Sequence, residues 1–152
     1  MKKRVFLSTV SKTIAGITLF DKIRENNFAF DFWLNPKEFV DKEAASEITN
    51  LHRWTDLKFE YQNDPYFGLW DTLSPASETI KTETGDCDDI ACVAVSWLLK
   101  NQMDAYLVVS LTDKKTLHMV AHDGNVAYDS NEVKPIDEYY NEAMVYIEKK
   151  IN

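Results

Sequence analysis

The sequence has few cysteines, and the two that it has are badly placed for a cross-link. Cys87 and Cys92 are the only cysteines among 152 residues. If both lie on one helix, at about 100° per residue, they point about 140° apart, which prevents a disulfide. No Cys-x-x-Cys spacing offers a metal site either. We therefore predict a reducing compartment and a cytoplasmic location.

Long hydrophobic runs, repeats and linkers rich in proline, glycine or serine are also missing. No stretch approaches the roughly 18 to 20 continuous apolar residues of a membrane span. The start MKKRVFLSTV resembles a secretory signal, but Lys12 interrupts its apolar run and no small-residue cleavage site precedes Asp21. The four glycines and four prolines are scattered and mark no boundary. We predict one soluble domain over residues 1–152.

Positive charge is scarce. The chain has 17 Lys and Arg against 25 Asp and Glu, a formal net charge of -8. Phosphate backbones are bound by clustered Lys and Arg, so we expect no nucleic-acid partner. The hydrophobic fraction of 45% is sufficient for one closed core.

Hydrophobic periodicity predicts an α+β fold. Apolar residues at helical spacing indicate helices, and apolar runs bounded by turn residues indicate strands. Helices come first and an antiparallel sheet follows, which favours α+β over a doubly wound sheet. The predicted helices cover residues 8–26, 36–53, 87–100 and 136–150, and the predicted strands cover 57–61, 105–111, 117–122 and 125–129.

Asp123-Gly124 predicts a two-residue hairpin turn, because both positions tolerate positive φ. With this loop, His118 pairs with Asp129 directly across the two strands. Facing side chains have Cβ atoms about 4.5 to 5.5 Å apart, so the carboxylate can accept from the imidazole. His122 lies on the same face, roughly 13 Å along the strand, and lacks an opposing acid. The alternative interpretation is an ordinary cross-strand polar pair.

Cys87 is predicted to lie in the first turn of a helix, after Gly85 and Asp86. There the unpaired N–H groups and the helix dipole stabilise a thiolate. Neighbouring acids raise a thiol pKa, so we expect them to point away from the sulfur. The alternative is a buried small side chain, which is the interpretation that we accept for Cys92. A metal site formed by Asp86, Asp88, Asp89 and a histidine is not favoured, because consecutive acids lack the alternating spacing of a calcium loop.

One stretch of the chain resembles a known family. The pattern runs from Trp70, Pro75 and Glu78-Thr79-Ile80 through G-D-C-D-D-I-A at 85–91, and then through H-M-V-A and Y-D-S-N. Over residues 70–131 it is similar to the transglutaminase-like superfamily, especially the bacterial transglutaminase-like cysteine proteinases. The chain departs from the family in a shorter His-to-Asp connection, and the first seventy residues carry no recognised motif.

The resemblance implies a papain-like fold in which the cysteine helix packs on a small antiparallel sheet. Carried over by position, Cys87 matches the nucleophile, His118 the general base and Asp129 the orienting acid. Trp70 becomes a candidate for the oxyanion site or the cleft, although such a tryptophan is commonly core. Some relatives bind calcium beside the cysteine, which makes Asp86 and Asp88 its candidate ligands, but we predict no cofactor.

The implied function is thiol-dependent acyl transfer on a protein or peptide substrate. With water as acceptor the enzyme is a cysteine peptidase or amidase, which is the reaction that we predict. With an amine as acceptor it is a transglutaminase or another acyltransferase. A third alternative is a non-catalytic protein-binding module that retains the fold. His52 has no evident acid or thiol partner at helical spacing and is predicted to lie on the surface.

Overall fold

The computed structural model describes residues 35–62, 74–112, 117–130 and 132–152. The predicted helix over residues 8–26 and the signal-like start therefore lie outside the described residues. None of the helices in the described ranges is long and apolar enough to cross a membrane. Both cysteines are free, as predicted.

Four α-helices and seven strands make up the described fold. The helices are α1 (Leu51–Leu57), α2 (Ala76–Thr82), α3 (Cys87–Lys100) and α4 (Ile136–Glu142). Two short strands, β1 (Glu60–Tyr61) and β2 (Thr84–Gly85), pair in parallel. The remaining strands are β3 (Ala105–Thr112), β4 (Leu117–His122), β5 (Val126–Tyr128), β6 (Val133–Pro135) and β7 (Ala143–Ile151).

Strands β3 to β7 form one antiparallel sheet in the order β6-β5-β4-β3-β7. One face packs on α3, and this shared core includes Val93, Leu98, Leu107, Val109 and Ala121. The other face, with Val108 and Val120, packs on Ile136 and Tyr139 of α4. The predicted α+β class, with a cysteine-bearing helix on an antiparallel sheet, is confirmed.

Helix α3, which begins at Cys87, lies at the centre of the fold because most of its residues are buried. Ten of its residues are buried, from Asp88 through Ser96 together with Leu98. A helix that is apolar nearly all round is stable only inside the protein. Its predicted bounds, 87–100, are those observed.

Two of the helix predictions are wrong. Residues 36–53 form two 3₁₀ turns, Pro36–Glu38 and Ala44–Glu47, and α1 begins only at Leu51. There the Asn50 side chain accepts from Arg53 N at 2.9 Å, which is a stronger start signal than the apolar spacing.

The helix predicted over 136–150 ends at Glu142, and the chain continues as β7. Val145, Ile147 and Ile151 pack on the α3 core, so this segment follows the period of two typical of a strand. The strand predicted over 57–61 also shortens to Glu60–Tyr61, because α1 continues through Leu57.

Candidate active site

Cys87 is the first residue of α3, as predicted, and a reciprocal cap fixes its position. The Asp86 carboxylate accepts from Asp88 N at 3.2 Å. In return, Asp89 Oδ2 accepts from Asp86 N at 3.1 Å. These bonds satisfy N–H groups that have no partner within the helix.

Gly85 is required because the Asp89 side chain occupies the space of a Cβ atom. A Cβ built on Gly85 would lie 2.6 Å from both Cβ and Oδ2 of Asp89. The other carboxylate oxygen, Asp89 Oδ1, accepts from Ser74 N at 2.8 Å. The pattern Gly85-Asp86-Cys87 therefore has a steric cause: the buried acid one turn into the helix packs against a residue without a side chain.

The Cys87 thiol contacts the backbone of β4 at the peptide bond between His118 and Met119. The backbone N–H of Met119 donates to the sulfur. Cys87 is only partly exposed. Helix and strand are thus in contact at the cysteine, which brings residues from α3 and β4 together.

The expectation that the start of the helix stabilises a Cys87 thiolate is wrong. Burial, followed by the charges of Asp88 and Asp86, raises the pKa of the Cys87 thiol well above its usual value. The Met119 N–H lowers this pKa but is outweighed. Asp86 and Asp88 are near enough to act on the sulfur, whereas Asp89 is turned to the backbone of Asp86 and Ser74. The resting thiol is therefore protonated at neutral pH.

His118 and Asp129 form the predicted contact. Nε2 of His118 lies 2.7 Å from Asp129 Oδ2, and the two side chains are 27% and 13% exposed. Alternation along the strands places both on the sheet face that packs on α4.

The register behind this prediction is wrong. The structure pairs His122 with Ala127 and Ala121 with Tyr128, so each partner shifts by two residues. The reason is the Asp123 carboxylate, whose Oδ1 accepts from the N–H groups of Asn125 and Val126, both at 2.8 Å, and widens the turn. A shift of two keeps every side chain on its face, so Asp129 becomes a diagonal neighbour that still reaches the imidazole.

Asp129 is held as a carboxylate. Burial alone would raise its pKa, but the hydrogen bond from His118, and then those from Ser130, lower the Asp129 pKa below its usual value. Ser130 donates to Oδ1 from its N–H at 2.6 Å and from its hydroxyl at 3.2 Å. An ionised carboxylate only accepts, so Nε2 of His118 carries the proton of this bond.

Tyr61 is a neighbour of the thiol that the sequence did not indicate. It pairs with Gly85, and Gln62 N donates to Gly85 O at 2.8 Å. Burial, and beyond it the negative charge of Asp86, raises the Tyr61 pKa, yet the residue stays 42% exposed. No local pattern reveals it, because a two-residue parallel pairing has no signature in the sequence.

His122 belongs to a separate polar cluster. It is 3% exposed, with Nε2 3.0 Å from Glu148 Oε2 and 3.1 Å from the Tyr140 hydroxyl, which also donates to Glu148. Its Nδ1 accepts from Gly124 N at 2.9 Å. Both ring nitrogens are engaged by other groups, which agrees with the choice of His118. The expectation that only His118 has an acid partner is wrong, because Glu148 on β7 reaches His122.

Asp86, Asp88 and Asp89 could hold a cation, since one oxygen of each lies within 4.8 Å of the others. Asp89 is unsuited, because backbone N–H groups occupy both of its oxygens. Asp86 and Asp88 are the acids left to supply ligands, and calcium usually takes six to eight oxygens. Calcium binding there remains the alternative that the resemblance implies, and the absence of a cofactor stays a prediction.

Three other predictions have different outcomes. Trp70 lies outside the described residues. Cys92 is buried and donates from Sγ to Phe39 O at 3.1 Å, so it belongs to the core as predicted. His52 lies on the surface, but it does have an acid partner, because Asp56 one turn later is 3.5 Å away.

The chain is similar in sequence to one curated protein over part of its length. The chain is 27% identical over 93 residues to UPF0252 protein MJ1282 of Methanocaldococcus jannaschii, a match covering 57% of the chain. The chain spans only 26% of the length of that relative.

Two solved structures of Legionella pneumophila LapG are also similar. The calcium-bound form has a TM-score of 0.45 at 20% identity, covering 58% of this chain and 57% of LapG. The EGTA-treated form has a TM-score of 0.47 at 15% identity, covering 84% and 75%. A family model described as a transglutaminase-like domain matches residues 34–151, most of the described fold. The chain therefore belongs to the transglutaminase-like domain family.

Proposed function

We propose that the protein is a thiol-dependent acyl-transfer enzyme that hydrolyses peptide or amide bonds. Cys87 is the nucleophile, His118 the general base and Asp129 the orienting acid. The observation that carries the proposal is the 2.7 Å bond from His118 to Asp129, next to a thiol that contacts the Met119 N–H. Nucleophile, base and orienter are the three parts that this chemistry requires.

The tautomer defines the role of each ring nitrogen. Because Nε2 donates to Asp129, Nδ1 carries the lone pair that can accept a proton. The Cys87 thiol is neutral at rest, so Nδ1 takes its proton as the sulfur attacks the carbonyl carbon. The imidazolium that forms is stabilised by the carboxylate behind it.

The later steps reverse the proton transfer. The carbonyl π electrons move to oxygen as the S–C bond forms, and the backbone N–H of Cys87 at the start of α3 donates to that oxyanion. His118 returns the proton to the leaving amine as the C–N bond breaks. Water, deprotonated by His118, then cleaves the thioester and releases the acid and the free thiol.

An activity-based probe tests the proposal directly. A peptide vinyl sulfone should add covalently to the native protein, and intact mass with peptide mapping should place the adduct on Cys87. Cys87→Ala should abolish the adduct, and His118→Ala should slow it by about a hundredfold or more, because general-base catalysis typically contributes 10²–10⁴. Cys92→Ala and His122→Gln are matched controls that should label normally. An unchanged labelling rate in His118→Ala would overturn the role of the histidine.

A second candidate function is a protein-binding module without catalysis. The observation that favours it is the buried thiol, whose pKa lies well above the usual value. A binding module would leave Cys87 unlabelled by every member of a panel of peptide vinyl sulfones and chloromethyl ketones, while the folded protein retains a partner in pull-down.

A further inference from the structure

Tyr139 packs beside the imidazole of His118. Its ring centroid lies 6.0 Å from that of His118, with the two planes inclined at 35°. Tyr139 is 5% exposed and belongs to the apolar cluster on the α4 face of the sheet. The sequence predicts only a helix over residues 136–150, and that prediction gives no indication of this contact.

The hydroxyl of Tyr139 is tied to the strand that faces His118. It lies 2.9 Å from Ser110 Oγ in a buried hydrogen bond. Ser110 is the cross-strand partner of His118, and its Oγ also donates to His118 O at 3.4 Å. Burial, and beyond it the charge of Asp129, raises the Tyr139 pKa and outweighs the lowering effect of the Ser110 hydrogen bond, so the hydroxyl stays neutral. Ring and hydroxyl are therefore both fixed relative to the histidine.

A lysine also lies against the Tyr139 ring. Lys134 Nζ is 5.8 Å from the ring centroid. The ammonium group is itself held by Glu142 at 2.6 Å and Glu132 at 3.1 Å. Such a cation–π contact adds to the restraint on the ring.

We propose that Tyr139 is a positioning residue that holds the His118 imidazole in the orientation in which Nε2 meets Asp129. A large, fixed ring beside the imidazole obstructs its rotation about χ2 and excludes water from the hydrogen bond. The catalytic meaning of this role rests on the proposed function, but the orientation of the ring does not. Tyr139 acts through His118 and does not itself touch the reacting atoms.

The test is the NMR state of the His118 ring, which needs no substrate. In the native protein, long-range ¹H–¹⁵N spectra should give the tautomer protonated at Nε2, with the Nε2 proton protected from exchange. Tyr139→Leu removes the ring and should mix the two tautomers and speed exchange of that proton at least about tenfold. Tyr139→Phe keeps the ring, loses only the Ser110 bond, and should speed the exchange severalfold.

Tyr146→Leu is the matched control, because Tyr146 packs on the same apolar cluster as Tyr139. It should leave the His118 tautomer and exchange rate unchanged. An unchanged tautomer and exchange rate in folded Tyr139→Leu would overturn the positioning role. If that variant does not fold, an unchanged tautomer and exchange rate in folded Tyr139→Met, which also lacks the ring, overturns it instead.

Activity then separates this proposal from the proposed function. If the enzyme turns over a substrate, Tyr139→Leu should lower kcat by about tenfold to a hundredfold with KM nearly constant, since small misplacements of a catalytic group act on the chemical step. A KM effect alone, with kcat unchanged, would contradict positioning. If native protein and His118→Ala are equally inactive, the proposed function fails while the NMR result still decides the role of Tyr139.

Discussion

The two oxygens of Asp129 have different partners. Oδ2 lies 2.7 Å from His118 Nε2, and Oδ1 accepts from Ser130 N at 2.6 Å. One carboxylate thus links the imidazole to the backbone that follows β5, so the orientation of the ring depends on the fold of the hairpin.

This linkage predicts a dependence of stability on pH. The Asp129 pKa is lower in the folded protein than its usual value. The carboxylate therefore stabilises the fold above the unfolded pKa of about 3.9, and this stabilisation is lost as the pH falls through the lower, folded pKa. Asp129→Asn should lower the free energy of unfolding by about 2 kcal/mol at pH 7, a value typical of hydrogen bonds to charged groups.

Urea unfolding of both proteins between pH 7 and pH 3 measures this difference. The difference in unfolding free energy between the native protein and Asp129→Asn should become smaller below about pH 4, where Asp129 of the unfolded chain takes up a proton. A gap that stays constant across this range would show that the carboxylate charge does not stabilise the fold.

The Cys87 thiol should be slow to alkylate at neutral pH. Because burial and the charges of Asp88 and Asp86 raise its pKa, little thiolate exists at pH 7. Iodoacetamide should react more slowly with the folded protein than with the unfolded chain, and the rate should keep rising above pH 9. Asp88→Asn removes a negative charge and should speed the reaction. Faster labelling of the folded native protein at pH 6 would contradict this prediction.

Gly85→Ala should destabilise the protein by about 1–3 kcal/mol, the usual cost of overpacking. The added methyl group would meet the Asp89 side chain at 2.6 Å and displace the carboxylate from the N–H groups of Asp86 and Ser74. Thr84→Ala, at the neighbouring position of β2, is the matched control and should change stability little. Thermal or urea unfolding measures both, and equal stability of the two variants would refute the steric explanation.

The two histidines of β4 should separate stability from reactivity. His122→Gln disrupts a buried cluster with Glu148 and Tyr140 and should cost about 1–3 kcal/mol of unfolding free energy. The same variant should leave probe labelling of Cys87 unchanged. His118→Gln, at a position 27% exposed, should show the opposite pattern, with labelling lost and stability less affected. Loss of labelling in His122→Gln would show that the general base is His122 and not His118.

The helix that carries Cys87 was predicted from local sequence signals. The secondary-structure predictions were wrong where contacts between residues distant in sequence determine the structure. Helix α3 was predictable because an apolar run follows the capping residue Asp86. Strand β7 was not, since Ile136, Tyr140, Ala143 and Ile147 also fit helical spacing. Only pairing with β3 selects the strand. Local propensity is overridden when a neighbouring strand is available.

The candidate site was predictable in its residues but not in its electrostatics. His118 and Asp129 met despite the wrong register, because a shift of two positions preserves the face. The raised pKa of Cys87 depends on how deeply the sulfur is buried and how near Asp88 lies, and a linear pattern contains neither quantity. Tyr61 and Tyr139 reach the site through long-range packing and carry no motif.

The fit between Gly85 and the carboxylate one turn later couples two positions of the chain. A side chain larger than hydrogen at the first position strains the fold unless the second position carries a shorter residue, and that shorter residue forfeits the cap. Relatives with a larger residue at the first position should therefore carry a shorter one at the second, whereas glycine at the first position is compatible with either.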